Sequence, residues 1–316
     1  MVSVRVTTPS RVHIGLIDLN ASLGRVDGGI GIALEEPRIR LRAEPAEGIE
    51  VTGPLAERAS AAAKRTIEAL HLELGIRIEV EEAYGQHLGL GSGTQIALAA
   101  GKAVSALNGL RLDAWEIARI GGRGGTSGIG VAAFEGGGFI LDGGHSTKVK
   151  QGFAPSSASR APPPPLLARH PFPWKVVLVI PKVPGDFHGR LERDIFQRHC
   201  PISRQEVERV SHLVLMGLLP ALAEADIAAY GRFVNGLQSI GFKGIEVGLQ
   251  PPVVRELMAL SRRHAPGVGL SSFGPTIYCI LEDEGPLLDA LKGRAEVERV
   301  IVTRANNRGA AIEVDP

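Results

Sequence analysis

Apolar and polar positions alternate with a period of two over residues 2–8 (VSVRVTT), 39–43 (IRLRA) and 76–82 (IRIEVEE). Each run predicts a strand with one buried face. The period changes over residues 55–74. There Ala59, Ala62, Ala63, Ile67 and Leu70 fall on one helical face. A second helix is predicted over 94–107 (TQIALAAGKAVSAL), after a glycine-rich turn. Asp113 reads as the N-cap of a third, with Trp115, Ile117 and Ala118 behind it. A short strand over 139–142 closes this half. Residues 174–181 form an unbroken apolar run of the kind a buried strand uses. Helical spacing then recurs over 206–219, 226–237 and 253–264. A strand, a helix and a strand follow over 276–282, 286–292 and 298–303. The mixture predicts an α+β protein.

Residues 151–173 break this rhythm. They contain PSSASRAPPPPLLARHPFP, and no helix or central strand accepts the run Pro162 to Pro165. The reading is a domain over 1–155, a Pro/Ser-rich linker over 156–173 and a second domain over 174–316. A chain of 316 residues is long enough for two cores, built here from small aliphatics because only 4% of residues are aromatic.

Charge narrows the choice of partners. The net charge is +1, so there is no broad basic field for a nucleic-acid backbone, and any anion must be held by a local site. Cys200 and Cys279 form no CxxC pair, which argues against a zinc site or a redox dithiol and fits a reducing cytoplasm. The first residues lack the apolar stretch of a signal peptide. The longest apolar run, 213–223, is broken by Gly217 and Pro220 and is too short to span a bilayer. A cytoplasmic protein with small-molecule partners, and neither nucleic acid nor membrane, is expected.

Four segments carry candidate chemistry. Residues 9–34 (PSRVHIGLIDLNASLGRVDGGIGIAL) set Arg11, His13, Asp18, Asn20, Arg25 and Asp27 among glycines and aliphatics. That mixture reads as an apolar-walled site for a charged small molecule, or as a β-hairpin with charged tips. GLGSGTQ at 89–95 precedes the second helix. Backbone N–H groups at Gly89, Gly91 and Gly93, with the Ser92 and Thr94 hydroxyls and the helix N-terminus, can hold an anion. The loop lacks the Lys-Ser/Thr pair of a Walker A motif. GGRGGTSGIG at 121–130 presents Arg123, Thr126 and Ser127, where a guanidinium can fork onto a carboxylate or phosphate. GVGLSSFGP at 267–275 presents Ser271 and Ser272 ahead of the strand TIYCILE. Each loop alone reads equally as a tight turn; together they predict one composite cleft. Glu282, Asp283 and Glu284 read as a solvated strand end. The histidines show no HxxxH or HxH spacing; His13 and His145 lie near the charged motifs, whereas His188, His199 and His264 have no such context. No GxSxG elbow supports a hydrolase.

GLGSGTQ before a helix, TSGIGVAAFEGGGFIL and GLSSFGPTIY, in that order over about residues 3–314, resemble the three motifs of the small-molecule kinase superfamily of galactokinase, homoserine kinase and mevalonate kinase (GHMP). The resemblance implies a two-domain GHMP-kinase-like fold. Its N-terminal domain would be like ribosomal protein S5 domain 2 and its C-terminal domain a ferredoxin-like α/β sandwich. One departure matters. Kinase members carry an Asp after Ser-Gly-aliphatic in the second motif, and this sequence has Gly130 there. SRVHIGLIDLNASLGRVDGGIGIAL and RGGTSGIGVAAFEGGGFILDGGHS resemble the β-ribofuranosylaminobenzene 5′-phosphate synthase family. That resemblance implies a pentosyltransferase of tetrahydromethanopterin biosynthesis. It would condense 4-aminobenzoate with phosphoribosyl pyrophosphate, with release of CO2 and pyrophosphate, as a homodimer using Mg2+. It casts Asp18 or Asp27 as the carboxylate facing an oxocarbenium-like sugar, Arg25 or Arg11 as the grip on the aromatic carboxylate, and His13 as a further catalytic candidate. Arg11 and Asn20 join the glycine-loop residues in substrate binding. An ATP-dependent kinase and a non-catalytic ligand-binding relative stand as the alternatives.

Overall fold

The computed structural model describes residues 2–73, 75–156, 158–183 and 190–315. Two long strands, β1 (Ser3–Asp18) and β2 (Arg25–Ala46), form the hairpin on which everything else is assembled. Then come β3 (Ile49–Thr52), α1 (Ala56–Ala69), β4 (Gly75–Glu82), α2 (Ser92–Leu107), α3 (Ala114–Gly121), α4 (Ile129–Gly136), β5 (Phe139–Asp142), β6 (His145–Ser146) and β7 (Leu166–His170). The second half holds β8 (Lys175–Pro181), α5 (Arg190–His199), α6 (Arg204–Leu213), a π-helical turn Val214–Leu218, α7 (Leu219–Ala223), α8 (Ile227–Leu237), α9 (Gly241–Gly248) and α10 (Pro252–Ser261). It ends with β9 (Gly267–Leu270), β10 (Ile277–Leu281), α11 (Gly285–Leu291), β11 (Val297–Arg304) and β12 (Ala311–Asp315).

The elements predicted from periodicity form where local chemistry favours them. Asp113 caps α3 with a reciprocal capping box to Glu116, and the Asp226 side chain caps α8. The strand expected over 2–8 instead runs on to Asp18. The segment 9–34 is therefore a β-hairpin, the second of the two readings its pattern allowed. Residues 121–130, read as one glycine loop, end in a helix: α4 starts at Ile129 and lies on the sheet. A Cβ at Gly31 of β2 would overlap Ile129, so the bare strand is what lets α4 seat this closely.

The large sheet has the order β12-β1-β2-β4-β3, with β5 and β6 on β2 and β7 on β5. The small sheet is antiparallel with the order β11-β8-β10-β9. Numbered within that half its strands run 4-1-3-2, the β-α-β-β-α-β arrangement of a ferredoxin-like layer. The expected boundaries do not separate the two sheets. Residues 166–170 of the expected linker pair with β5, and residues 311–315 of the expected second domain return to β1. Burial supplies the reason. Phe172 and Trp174 stack with Tyr230 at 5.0–5.5 Å and continue one apolar core from Val4 through Phe139 to Tyr278. His188 lies outside the described residues. Cys200 and Cys279 are free thiols, and burial pushes both up to about 12.

Candidate active site

Three glycine loops meet on β1. The Arg11 backbone N–H donates to Leu90 O at 3.2 Å, and Arg11 Nη1 donates to Gly89 O. Gly89 and Gly91 have φ of 77° and 84°, and a Cβ at Gly89 would overlap Ser271 O. Ser271 Oγ donates to Gly89 O at 2.7 Å and accepts the His13 N–H at 3.0 Å. The Ser272 N–H donates to His13 O at 2.9 Å. Ser271 thus ties the loops to the hairpin, while Ser272 lines the cleft.

The cleft has two adjoining parts. The outer cavity, about 500 Å³, is walled by Arg11, Arg58 and Arg123 with Ser92, Gly93 and Thr94 of the glycine loop. Arg123 is half-buried, and its buried Nε has no protein partner. Burial pulls its guanidinium below its ordinary value, and Arg58 and Arg65 add to the effect. Clustered guanidinium groups with an unsatisfied buried donor, at a glycine-lined helix N-terminus, favour an anion. The inner cavity is lined by His13, Ser127 and Glu246 on its polar side and by Leu16, Phe196 and Phe273 on its apolar side. Arg11, Thr94, Glu192 and Ser272 line both.

Buried charges flank the inner cavity. Lys243 donates to Leu270 O at 3.2 Å and Ser272 O at 3.0 Å and pairs closely with Glu246. Desolvation pulls the Lys243 ammonium down and pushes the Glu246 carboxyl up. His13 Nε2 lies 3.2 Å from Ser127 Oγ, which lies 3.2 Å from Asp142 Oδ2. The Gly128 and Gly144 N–H groups also donate to Asp142, at 2.8 and 2.9 Å. Burial with Arg11 and Lys243 nearby holds His13 well below its ordinary 6.5. Gly130 occupies the position for which the kinase resemblance implied an Asp. A Cβ there would come within 3.1 Å of Thr94 Cγ2, and Gln95 Nε2 donates to Gly130 O at 2.8 Å. The Thr94 side chain fills the space beside that position.

The tip of the hairpin is used differently. Asp27 is buried, and its carboxylate takes Lys150 Nζ at 2.9 and 3.0 Å and His145 Nδ1 at 2.6 Å. Lys150 also donates to Thr126 Oγ1 at 3.1 Å and Ala154 O at 2.9 Å, and Thr126 Oγ1 donates to Ala154 O at 2.7 Å. His145 Nε2 meets Pro162 O at 2.9 Å. Asp18 Oδ1 accepts the Asn20 and Ala21 N–H groups at 2.7 and 3.1 Å, and Asn20 Nδ2 donates to Ile202 O at 2.6 Å. Arg25 donates to Gly143 O at 2.9 Å and Gly144 O at 2.7 Å. None of Asp18, Asn20, Arg25 or Asp27 lines either cavity. The structure therefore brings Arg11, His13, Ser92, Gly93, Thr94, Arg123, Ser127 and Ser272 together and leaves the tip residues to fix turns and straps. Thr126 lines the inner cavity with its hydroxyl already engaged.

Sequence reasoning missed Arg58, Asp142, Lys243 and Glu246. Asp142 carried a signal, a carboxylate ending the apolar strand FIL. Lys243 and Glu246 sit three apart in GFKGIEVG, a helix too glycine-rich for its period to show. Among the described residues no group of three or more His, Cys, Asp or Glu could hold a metal, and no helix is long and apolar enough to cross a membrane.

The GHMP kinases N terminal domain family matches residues 57–138. Beta-ribofuranosylphenol 5'-phosphate synthase of Archaeoglobus fulgidus is 48% identical, across 98% of this chain and 100% of that one. The protein of the same name from Methanothermobacter thermautotrophicus is 43% identical, across 98% of each. The chain belongs to the beta-ribofuranosylphenol 5'-phosphate synthase family. It is an enzyme, and its reaction class is pentosyl transfer. Among solved structures, mevalonate kinase of Methanococcus jannaschii superimposes with a TM-score of 0.69 at 15% identity, over 96% of this chain and 98% of that one. Homoserine kinase of Cytophaga hutchinsonii gives 0.66 at 18%, over 98% and 97%. These likenesses establish the GHMP-kinase-like α+β fold. The family's name carries a phenol where the sequence resemblance implied an aminobenzene; pentosyl transfer is common to both.

Proposed function

We propose that this enzyme joins the anomeric carbon of 5-phosphoribosyl 1-pyrophosphate to the carboxylate-bearing ring carbon of a benzoate that carries a hydroxyl or amino group in the para position. CO2 and pyrophosphate leave. The observation that carries the reading is the junction of the two cavities: a guanidinium-lined, glycine-edged outer part opens onto an inner part with an apolar wall of Leu16, Phe196 and Phe273. Arg11, Arg58, Arg123 and the 89–94 loop suit the phosphate groups of the donor. The apolar wall suits the ring. Arg11 borders both parts, and it is the guanidinium placed to take the aromatic carboxylate before that group is lost. Glu192 borders both as well, at the place the sugar would occupy, where a carboxylate favours developing positive charge.

The protein offers few metal ligands around this junction, chiefly the Ser92 and Thr94 hydroxyls and the Glu192 carboxylate. That set fits Mg2+ carried mainly by phosphate oxygens, where it would neutralise charge on the departing pyrophosphate. The homodimer implied by the resemblance is carried forward as an expectation, which sedimentation of the purified chain tests.

The test incubates the enzyme with phosphoribosyl pyrophosphate, Mg2+ and either 4-hydroxybenzoate or 4-aminobenzoate. Release of CO2 and pyrophosphate, with a C-riboside phosphate of matching mass, is expected. The acid with the higher kcat/KM identifies the para group. ATP-dependent phosphorylation of a metabolite with no C-riboside would overturn the reading in favour of a kinase.

A further inference from the structure

The surrounding hydrogen bonds fix the protonation pattern of His13, which lines the inner cavity. Asp142 is fully buried and accepts two backbone N–H groups, so it acts as an acceptor and the Ser127 hydroxyl hydrogen points to it. The Ile129 N–H donates to Ser127 Oγ at 3.2 Å and takes one of its lone pairs. The remaining lone pair faces His13 Nε2. Nε2 therefore carries the hydrogen, and in the neutral ring Nδ1 is a bare acceptor. Nδ1 is buried with no protein partner, on a side chain only 7% exposed that lines the inner cavity. A buried acceptor without a protein partner, on a residue that lines a cavity, is one that a ligand's donor can complete once the two are brought together.

We propose that His13 Nδ1 accepts the proton of the para hydroxyl of the aromatic acceptor, with Ser127 and Asp142 as its positioning residues. This inference rests on the ring-carbon transfer proposed above and adds the proton path. As the ring carbon bonds to the sugar and the C1–pyrophosphate bond breaks, the hydroxyl proton passes to Nδ1 and the ring becomes a neutral dienone. The ring–carboxylate bond then breaks, CO2 leaves, and its bonding electrons restore the aromatic ring as the oxygen regains the proton from Nδ1. No proton is gained or lost overall. An amino group already donates its lone pair strongly enough to carry the intermediate as an iminium, so it depends less on the base. Arg11 and the Lys243–Glu246 pair on α9 face His13, Asp142 stands behind Ser127, and Glu192 lines the same cavity. The two cations favour the neutral ring that a proton acceptor requires.

Two experiments test it on the intact enzyme. Nitrogen NMR of histidine-labelled wild-type protein at pH 7 is expected to show His13 neutral with its proton on Nε2, and Ser127→Ala is expected to lower that Nε2–H population. In steady state, His13→Asn is expected to cut kcat/KM for 4-hydroxybenzoate by about 100-fold or more, and for 4-aminobenzoate by less than about tenfold. A proton on Nδ1, an imidazolium at pH 7, or equal losses for the two acids would overturn the inference. If His13→Asn does not fold, the wild-type spectrum and the acid preference of Ser127→Ala decide it. A wild-type enzyme that forms no C-riboside from either acid would instead remove the transfer reading itself, independently of the tautomer.

Discussion

The middle and the tip of the β1–β2 hairpin carry similar residues and do different work. Midway along it Arg11 and His13 border cavities, and the protein leaves a buried donor and a buried acceptor there without partners: Arg123 Nε, His13 Nδ1. At its tip Asp18, Arg25 and Asp27 spend their polar atoms on Asn20, Ala21, Gly143, Gly144, Lys150 and His145. Unsatisfied burial, more than charge density, marks the reactive end. Burying a polar group without a partner costs free energy, so a fold keeps such groups where a ligand completes them. The tip has another task. Lys150 links Asp27 to Thr126 and Ala154, and His145 links Asp27 to Pro162, so the tip fastens the stretch whose Pro155 and Ser156 edge the inner cavity.

The largest expected effect comes from Asp27→Asn. The change leaves the Lys150 ammonium, 4% exposed, without its counter-charge. A loss of about 3–5 kcal/mol in unfolding free energy is expected, read from the urea midpoint. The protein that remains folded should bind phosphoribosyl pyrophosphate as before. An unmoved midpoint would mean that the tip is not a structural anchor.

Midway along the hairpin, Arg11→Gln reverses that balance. It removes a guanidinium shared by both cavities, and kcat/KM should fall by about 100-fold, some 2.7 kcal/mol, with a smaller loss of stability. Initial rates against both substrates beside a thermal melt check it. A variant that lost stability and kept its kcat/KM would place Arg11 with the tip residues.

How much of this the sequence discloses follows from the range of the forces involved. α2, the Asp113 cap and the buried strand β8 are written in neighbouring residues, and local periodicity finds them. α4 is not, because the fit that shapes its start is the approach of Ile129 to Gly31, a strand about a hundred positions away in the chain. β12 is five residues, four of them exposed, whose identity as a strand comes from β1. The convergence of GLGSGTQ and GLSSFGP was legible as a shared composition, and the Ser271–Gly89 contact is its physical form. The division of the hairpin into a middle with unpartnered polar atoms and a satisfied tip was hidden. In one dimension Arg11 and Arg25 look alike; only their partners separate them.

Acidification sharpens the same contrast. His13 is held neutral, with a folded value well below 6.5. Below pH 6.5 the unfolded chain takes up a proton there that the folded chain refuses. Stability from this group is complete above pH 6.5 and falls as pH drops beneath it, by about 1.4 kcal/mol per unit until the folded value is reached. Denaturant titrations at pH 7 and 5.5, on wild type and His13→Asn, isolate the contribution. A slope in this window that His13→Asn leaves intact would assign the acid sensitivity to other groups.

The smallest effect tests the comparison most finely. Asp18 and Asp27 face each other across the hairpin as register partners, yet Lys150 and His145 meet only Asp27. Asp18 lies two residues beyond Leu16 on the same strand face, about 7 Å past the inner cavity wall. Asp18→Asn keeps a side-chain oxygen for the Asn20 and Ala21 N–H groups and removes only the charge. Unfolding free energy should change by less than about 0.5 kcal/mol. At an effective dielectric near 50, between that of a protein surface and bulk water, a carboxylate at about 7 Å acts on a positively charged sugar with roughly 1 kcal/mol, so kcat should fall about fivefold. That fall should shrink as salt is raised, because a half-exposed charge is screened and a contact is not. A loss of several hundredfold, insensitive to salt, would put Asp18 in contact with the reacting atoms and extend the open middle of the hairpin to its tip.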